Sequence, residues 1–346
     1  MFLHVNVLNQ AKDAKEFVNP NGRYLVLAGE DFDFLNLEEY IDAIWMGAVF
    51  PKIFNKTSLY SDKAFLCTLQ ESVHLDWIYE LEDDFVLSSK SYMVFVNGLE
   101  SFISSKLEDI FSNTPHDAVM FGAGAGRSTM DSMQCLYNGK NYVNSGIVML
   151  SSDNDISIGV KHGYEVENDF HIITNAKGNM IYSIDNKSAF NFYQDILKYR
   201  YNIDVNKDNI FEIGLKYPLM FNVTYGEDIV RIPVKTDGEI IWSVGEIEQN
   251  SFVAIGKTKE SALLEAAKES SLIAKNNLNH VGNTCFVVEC FGRFAYSMEN
   301  FKNELNEIKN QMKDLNLYGI LSMGEIANTS KLNLEFYNST CVIGAL

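Results

Sequence analysis

The chain has 346 residues, 47% of them hydrophobic and 21% charged, and a formal net charge of −18 at pH 7. This length allows two domains or one large composite domain with a sizeable core. An acidic surface repels phosphate backbones and anionic lipid, so the charge argues against nucleic acid and membrane surfaces as partners. The net charge does not exclude a small anionic ligand, because a local cluster of arginine and backbone N–H groups can make the electrostatic potential inside a cleft positive.

The N-terminal segment and the cysteines predict a cytoplasmic protein. Residues 1–17 lack the basic leader and long apolar stretch of a signal peptide, and no apolar run approaches the roughly 20 residues of a membrane span. The five cysteines are odd in number, irregularly spaced and without a Cys-x-x-Cys pair, which is typical of reduced thiols. We therefore expect no disulfide framework, no metal site and no cofactor. The cysteines are Cys67, Cys135, Cys285, Cys290 and Cys341.

Hydrophobic periodicity predicts interleaved strands and helices along the chain. In the first half, residues 24–28 and 64–69 are predicted strands, residues 37–46 and 102–111 predicted helices, and residues 118–121 a strand that leads into a glycine-rich loop. In the last third we predict a helix over 258–276 capped by Thr258, a strand over 285–290, a helix over 301–315 behind Ser297, and strands over 318–323 and 336–345.

Two turn signals add hairpins to this pattern. Asn138-Gly139 and Asp237-Gly238 each lie between strand-like runs, and such pairs favour type I′ turns. Frequent hairpins favour an α/β (α+β) fold with mixed sheets and helices on the outer faces. The order of elements near residues 24–69 also returns weakly near residues 285–341, which predicts two related subdomains with a central cleft between them.

A glycine-rich segment and a histidine turn are the first candidate ligand contacts. Successive N–H groups around Gly122 and Gly124 could cradle an anion, with Arg127 as the counter-charge, although the spacing fits neither a dinucleotide fingerprint nor a Walker loop. His162 and Tyr164 flank a glycine and could line a pocket. The alternative interpretations are close packing at the glycines and a half-buried histidine satisfied by backbone.

The C-terminal candidates are a thiol, a guanidinium and a carboxylate. Cys290 stands three residues before Arg293, so it could be an activated nucleophile, with His280 the nearest histidine in sequence, or a buried core thiol. After Gly324, Glu325 could accept a bond from an ammonium group while Arg293 binds a carboxylate, as an amino acid would require. An internal salt bridge is the alternative. The acidic run at 80–84 is predicted to be a solvated turn.

Together these motifs resemble the FIST family. Cys290-Phe-Gly-Arg293, the segment Leu317–Ala327 with its Gly324-Glu325 pair, and Phe336-Tyr-Asn338-Ser-Thr are similar to the FIST C-terminal domain, and several glycine motifs between 47 and 182 resemble the N-terminal domain. The resemblance predicts a FIST N-terminal domain over 23–187 and a FIST C-terminal domain over 188–346. Ile320, Tyr337 and the Arg127-Ser128 pair depart from the family pattern, which predicts a changed ligand preference.

The resemblance implies a bacterial-type sensory module that binds a small molecule such as an amino acid or a similar small carboxylate without turning it over. The chain has no room for an output domain, so we expect a stand-alone protein that signals through a separate partner. Two alternatives remain, a thiol-dependent or hydrolytic enzyme using Cys290 and a protein-binding adaptor. The predicted ligand contacts are Gly122, Gly124, Arg127, His162, Tyr164, Cys290, Arg293, Gly324, Glu325 and Asn338.

Overall fold

Three successive segments of the chain build sheets of one design. The computed structural model describes residues 1–80, 86–131, 133–277, 282–330 and 332–346. In chain order, each segment supplies a flanking strand, a first strand, a second strand, a hairpin and a third strand. In the sheet, the second strand pairs in parallel with the first strand, and the third strand lies between the first strand and the flanking strand. We call the segments unit 1 (2–69), unit 2 (74–152) and unit 3 (157–345).

Unit 1 forms around a buried parallel pair of strands. Its strands are β1 (Phe2–Leu8), β2 (Arg23–Gly29), β3 (Ile44–Phe50), β4 (Lys52–Asn55), β5 (Ser58–Tyr60) and β6 (Ala64–Leu69), with 3-10 helices at Ala11–Glu16 and Leu37–Glu39. The helix predicted over 37–46 is wrong. Only its first residues form a 3-10 turn, because Ile44 onward pairs in parallel with β2, and Gly47 lets the carbonyl oxygen of Val26 approach.

Unit 2 repeats this plan with a true helix between its parallel strands. Its elements are β7 (His74–Ile78), β8 (Ser91–Asn97), α1 (Ile103–Ser112), β9 (Val119–Ala125), β10 (Leu136–Tyr137), β11 (Tyr142–Val143) and β12 (Ile147–Ser152). The glycine-rich loop predicted after residue 121 is wrong, because β9 continues to Ala125. A Cβ at Gly122 would lie 1.8 Å from the carbonyl oxygen of Val94, so this glycine permits close strand pairing.

Unit 3 begins with β13 (Ser157–Lys161) and then carries a large insertion, which we call the inserted module (165–257). Its sheet and its two helices enclose a hydrophobic core separate from that of the three units. Its elements are β14 (Glu165–Val166), β15 (His171–Lys177), β16 (Met180–Ile184), β17 (Lys187–Ser188), α2 (Ala189–Tyr201), α3 (Ile210–Lys216), β18 (Leu219–Phe221), β19 (Ile229–Arg231), β20 (Pro233–Thr236), β21 (Ile241–Ser243) and β22 (Phe252–Lys257).

The rest of unit 3 resumes the common plan. It consists of α4 (Glu260–Asn276), β23 (Thr284–Cys290), α5 (Phe291–Tyr296), α6 (Phe301–Gln311), β24 (Asn316–Ser322), β25 (Glu325–Ala327), β26 (Glu335–Tyr337) and β27 (Cys341–Ala345). Both long helices were predicted, and α6 begins at Phe301 as predicted, but α4 begins at Glu260 and is not capped by Thr258. Thr258 donates its hydroxyl to the carbonyl oxygen of Gly163, and α6 follows Asn300 because residues after Cys290 form the unpredicted α5.

Both predicted hairpins are present, but neither has the predicted type I′ turn. Each connection has four residues, and in each pair only the glycine has a positive φ, +89° at Gly139 and +108° at Gly238. The side-chain oxygen of Asn138 accepts bonds from the N–H groups of residues 140 and 141, and Asp237 does the same for residues 239 and 240. Side-chain bonding of this kind fixes a longer turn.

The three units exchange their hairpins in a cycle. The hairpin β4–β5 of unit 1 extends the sheet of unit 3, β10–β11 of unit 2 extends that of unit 1, and β25–β26 of unit 3 extends that of unit 2. The second strands β3, β9 and β24 contact one another where the sheets meet. The arrangement is therefore a pseudo-threefold one around these strands.

The mixed α/β fold is confirmed, and the predicted likeness of the two chain ends is present in the strand order of units 1 and 3. Unit 2, which was not predicted, is a third copy. The domain boundary predicted at 187/188 falls within β17, just before α2 and inside the inserted module, and that division stays a prediction. Residues 81–84 of the predicted acidic turn and His280 lie outside the described residues.

Candidate functional site

The carboxyl ends of β23 and β24 bring together four of the ten predicted ligand contacts, namely Cys290, Gly324, Glu325 and Asn338. These parallel strands end at Cys290 and Ser322, so the residues that follow each strand meet at one edge of the sheet. Gly324 and Glu325 follow β24 directly, and Asn338 lies in the turn that leads into β27.

A small pocket opens at this edge, and we call it the strand-end pocket. Unit 3 supplies its floor, the inserted module supplies one wall, and Met130 of unit 2 closes a third side. The pocket is small, with a volume of about 30 Å³, and its lining is almost entirely apolar. The lining residues are Met130, Phe211, Ile232, Val234, Val244, Cys290, Phe291, Gly292, Ser322, Met323, Gly324 and Asn338.

Asn338 is the polar residue of this lining whose bonding is incomplete. The residue is 1% exposed, and its Nδ2 donates to the carbonyl oxygen of Tyr337 at 2.9 Å. Within the part of the chain that the structure describes, its Oδ1 is buried and has no hydrogen-bond partner. A buried acceptor left unpaired is costly, so a ligand that donates a hydrogen bond would recover that energy.

Glu325 lies behind the pocket and is fully buried. Its Oε1 lies 2.5 Å from the Ser322 hydroxyl, and its Oε2 accepts the Thr340 N–H at 3.0 Å. Burial raises the pKa of Glu325 to about 8, against the opposing effect of these two bonds. Ser322 also donates to the carbonyl oxygen of Glu289, so its single proton is shared between two acceptors and lowers the pKa of Glu325 only in part. The side chain is therefore mostly a neutral acid at pH 7.

Cys290 is a thiol in this structure rather than a thiolate. It is buried at the floor of the strand-end pocket, and burial raises its pKa well above the usual range, with the carboxyl of Glu325 as the next cause. The thiolate is the nucleophilic form, so this environment opposes the activation that a thiol enzyme requires. Cys290 contributes apolar surface to the pocket floor.

Arg293 does not reach the pocket, which corrects the prediction that it binds a ligand carboxylate. It is fully buried on α5 rather than on a glycine turn. Its Nε pairs with Glu289 at 2.6 Å, and its Nη2 contacts Glu304 at 2.6 Å and the Leu263 carbonyl oxygen at 2.8 Å. Its Nη1 donates to the carbonyl oxygen of His162 at 3.0 Å. Both terminal nitrogens therefore donate to protein acceptors, and Nε is held in an ion pair without a hydrogen bond, as in the internal salt bridge that was the alternative.

Glu289 adds a second carboxyl group to the buried pair of Arg293 and Glu304. It is fully buried in β23, and burial raises its pKa to about 8, with the charge of Glu304 adding to the effect and that of Arg293 opposing it. Arg293 thus faces two carboxyl groups, and that of Glu289 is mostly protonated at pH 7. The cluster balances its charge near neutral pH and has little left with which to attract an ionic ligand.

His162 and Tyr164 support the site without lining the strand-end pocket. The Tyr164 hydroxyl donates to the carbonyl oxygen of Leu215 at 2.8 Å and lies 2.7 Å from the Ser339 hydroxyl, directly behind Asn338. The Nδ1 of His162 accepts the Tyr164 N–H at 2.8 Å. Burial lowers the pKa of His162, so the ring is neutral at pH 7. The Tyr164 side chain therefore supports the turn before β27, and the His162 side chain supports the backbone of Tyr164.

The glycine segment and Arg127 contact protein rather than an anion. The N–H of Gly124 donates to the carbonyl oxygen of Gly324, and its own carbonyl oxygen accepts the N–H of Met323, each at 2.8 Å. Gly122 pairs with β25 in register with Ile326. Arg127 instead donates to the backbone of Glu30 in unit 1 at 2.6 Å. The predicted anion cradle is therefore absent, and the glycines join unit 2 to the pocket floor.

Unit 2 contains a counterpart of the Arg293–Glu304 pair with reversed charges. Arg293 stands three residues after the end of β23, and Glu100 stands three after the end of β8. On the following helices, Glu304 directly precedes the buried Leu305 of α6, and Lys106 directly precedes the buried Leu107 of α1. Lys106 pairs with Glu100, as Glu304 pairs with Arg293. The side chains of that pair are 30% and 17% exposed, against 2% or less for Arg293 and Glu304.

The inserted module explains this difference between the units. A Cβ at Gly292 would meet Ile232 at 3.0 Å and Leu215 at 3.3 Å, both from the module, so the module packs directly on the strand end of unit 3. The sequence prediction missed the pocket residues that the module supplies, because no sequence pattern places this module against β23. Glu289 could have been found, because a carboxylate inside the apolar run 285–290 is a signal of a buried partner.

Membrane-spanning helices and metal-binding clusters are the two remaining features that concern the class of protein. No helix among the described residues has the length and apolar character needed to cross a bilayer. Over the same residues, no group of three or more histidine, cysteine, aspartate or glutamate side chains is arranged to hold a metal ion.

Comparison with known families identifies the chain. Residues 36–187 match the FIST N domain, and residues 189–328 match the FIST C domain. No curated protein matches the chain. FIST domains are in general sensory domains of signal transduction. With these two matches covering most of its length, the chain belongs to the FIST family.

Proposed function

We propose that this protein is a sensor that binds a small ligand in the strand-end pocket without turning it over. The observation that carries the proposal is the buried, unpaired Oδ1 of Asn338 on the wall of an apolar pocket. Ligand sites combine apolar walls with a few placed polar groups, and this pocket has that composition. A ligand there contacts unit 3, the inserted module and Met130 together, so binding alters how those parts pack.

The pocket favours a mainly apolar, uncharged ligand that donates one hydrogen bond. The amino acid or small carboxylate expected from the sequence stays a prediction, and the geometry supports it less well. The buried guanidinium of Arg293 is engaged by two carboxyl groups and two carbonyl oxygens of the protein, and Glu325 is a neutral acid behind the pocket floor. The enclosed volume is small, so a ligand must displace the flexible side chains of Met130 and Met323.

The alternatives receive less support from the site. A thiol enzyme would need Cys290 as a thiolate, which burial opposes. An adaptor would need a continuous apolar surface, whereas exposed large apolar residues such as Leu35, Val86 and Tyr199 occur in different units or modules. The separate signalling partner and the cytoplasmic location remain predictions.

A thermal-shift screen of apolar amides and alcohols, amino acids and small carboxylates tests the proposal. A ligand at 100 times its Kd stabilises the folded state by about 2.7 kcal/mol, enough to raise the midpoint by several degrees. We expect a hit among the apolar donors that weakens about tenfold in Asn338→Ala. Asn144→Ala is the matched control, because Asn144 takes the corresponding position before β12 and does not line the pocket.

The outcome that would overturn the proposal is equally defined. A ligand whose affinity is the same in wild type and Asn338→Ala binds elsewhere. A screen without any hit, on folded protein that mass spectrometry finds free of bound molecules, would also contradict a sensory role for this pocket.

A further inference from the structure

A second and larger cavity lies between units 2 and 3, away from the strand-end pocket, and we call it the inter-unit groove. It has a volume of about 660 Å³, within the range of roughly 300–1,000 Å³ typical of ligand sites. The two cavities share no lining residue. The flanking strand β13 forms one side of the groove, the start of β9 forms the other, and the inserted module and the end of α4 close it.

The groove is a repeated feature of the fold, enlarged at this position. Between units 1 and 3, the flanking strand β1 faces the start of β24 across a corresponding cavity of about 180 Å³. The inter-unit groove is larger and gains two walls that this smaller cavity lacks. They are the loop at Gly226–Glu227 of the inserted module and the last turn of α4, with Ile273 and Asn277.

The charged groups of the groove leave an excess of negative charge. Glu227, whose side chain is 12% exposed, accepts Lys161 Nζ at 2.9 Å and the N–H of His162 at 3.1 Å. Asp117 stands on the opposite wall. Lys161 pairs with Glu227 alone. The His162 Nε2 lies 3.4 Å from the same carboxylate, but burial lowers the pKa of His162 and favours the neutral ring. The carboxyl end of α4 adds the negative end of a helix dipole, which favours cations.

An apolar strip runs beside these charges. Val119, Ile158 and Ile273 are half-buried on the walls, and Val160 is buried next to Lys161. A ligand that fits both parts has a positively charged group and a hydrocarbon portion. We propose that the inter-unit groove is a second ligand site, which takes an organic amine with its ammonium group at Glu227 and Asp117 and its hydrocarbon on the apolar strip.

Calorimetric titration with hexylamine tests the site, with hexan-1-ol and hexanoate as the neutral and anionic matches. We expect hexylamine to bind more tightly than both, and to lose about tenfold in affinity in Glu227→Gln and in Asp117→Asn, because each variant removes one charge-assisted interaction. Asp117 is exposed at the rim, so Asp117→Asn serves if Glu227→Gln fails to fold. Lys161→Met retains binding, since it removes the cation that competes for Glu227.

Three results would overturn the proposal. They are equal binding of hexylamine and hexan-1-ol, tighter binding of hexanoate, and the absence of hexylamine binding to folded protein at millimolar concentration. Asn338→Ala separates the two sites. It leaves hexylamine affinity unchanged if the groove is the site, and a loss of hexylamine binding in that variant would assign the amine to the strand-end pocket.

Discussion

Replacing Glu325 by glutamine tests the electrostatics of the site, and the expected result is a gain in stability. Glutamine reproduces the neutral acid, because its Nε2 can donate to the oxygen of Ser322 while Ser322 donates to the carbonyl oxygen of Glu289, and its Oε1 can accept the Thr340 N–H. The variant removes the cost of holding a proton on a carboxyl group that would be ionised in the unfolded chain. No side-chain volume is lost.

The size of the effect follows from the pKa of Glu325, which burial raises from 4.5 to about 8. Between these values the folded state binds more protons than the unfolded state. The stability that protonated Glu325 contributes to the wild-type protein is therefore fully present below pH 4.5 and is lost as pH rises toward 8. The wild type is therefore less stable than Glu325→Gln by about 1 kcal/mol at pH 5 and by up to about 3 kcal/mol at pH 7.

Urea unfolding at pH 5, 6, 7 and 8, followed by tryptophan fluorescence, measures this difference. Glu299→Gln is the control, since Glu299 is exposed and its replacement should change the free energy of unfolding by no more than about 0.5 kcal/mol at any pH. A difference between Glu325→Gln and wild type that is independent of pH would refute the raised pKa. A loss of stability in Glu325→Gln at pH 7 would mean that the ionised form is the one the fold requires.

Three further predictions follow from the buried groups. Arg293→Ala should lower the free energy of unfolding by about 3–5 kcal/mol, because Glu289 and Glu304 lose their buried partner, and a stable variant in urea titration would count against the cluster. Cys290 should resist iodoacetamide at pH 7 in the native protein and react in urea, as peptide mass spectrometry would record; rapid native labelling would revive the enzyme hypothesis. Gly122→Ala should cost at least 1–3 kcal/mol through its clash with the paired strand, and thermal unfolding unchanged from wild type would contradict the close pairing.

Much of the local structure could be predicted, because it depends on short-range patterns. The helix α1 buries Ile103, Leu107 and Ile110 on the predicted stripe, and β23 and β6 coincide with predicted apolar runs within one residue. The error at residues 37–46 arose because a short apolar run has no decisive period. Tertiary pairing with β2 then selected the strand.

The pseudo-threefold plan could not be predicted, because its copies share strand order and spacing rather than residue types. Arg293 and Glu100 occupy corresponding positions with opposite charges, and an insertion of about ninety residues separates β13 from the rest of unit 3. That insertion also decides which residues become buried. It packs against Gly292, next to Arg293, and supplies Ile232 to the pocket, while the predicted carboxylate-binding arginine is part of the core.

The central claim is that a small ligand occupies the strand-end pocket, and methyl NMR of protein labelled at its methionines tests it most directly. Met130 and Met323 line the pocket from units 2 and 3, and both must move to admit a ligand. We predict that a ligand found by the thermal-shift screen shifts these two methyl signals at saturation and shifts them far less at the same concentration in Asn338→Ala. Stabilisation of the protein with both signals unchanged would contradict the claim.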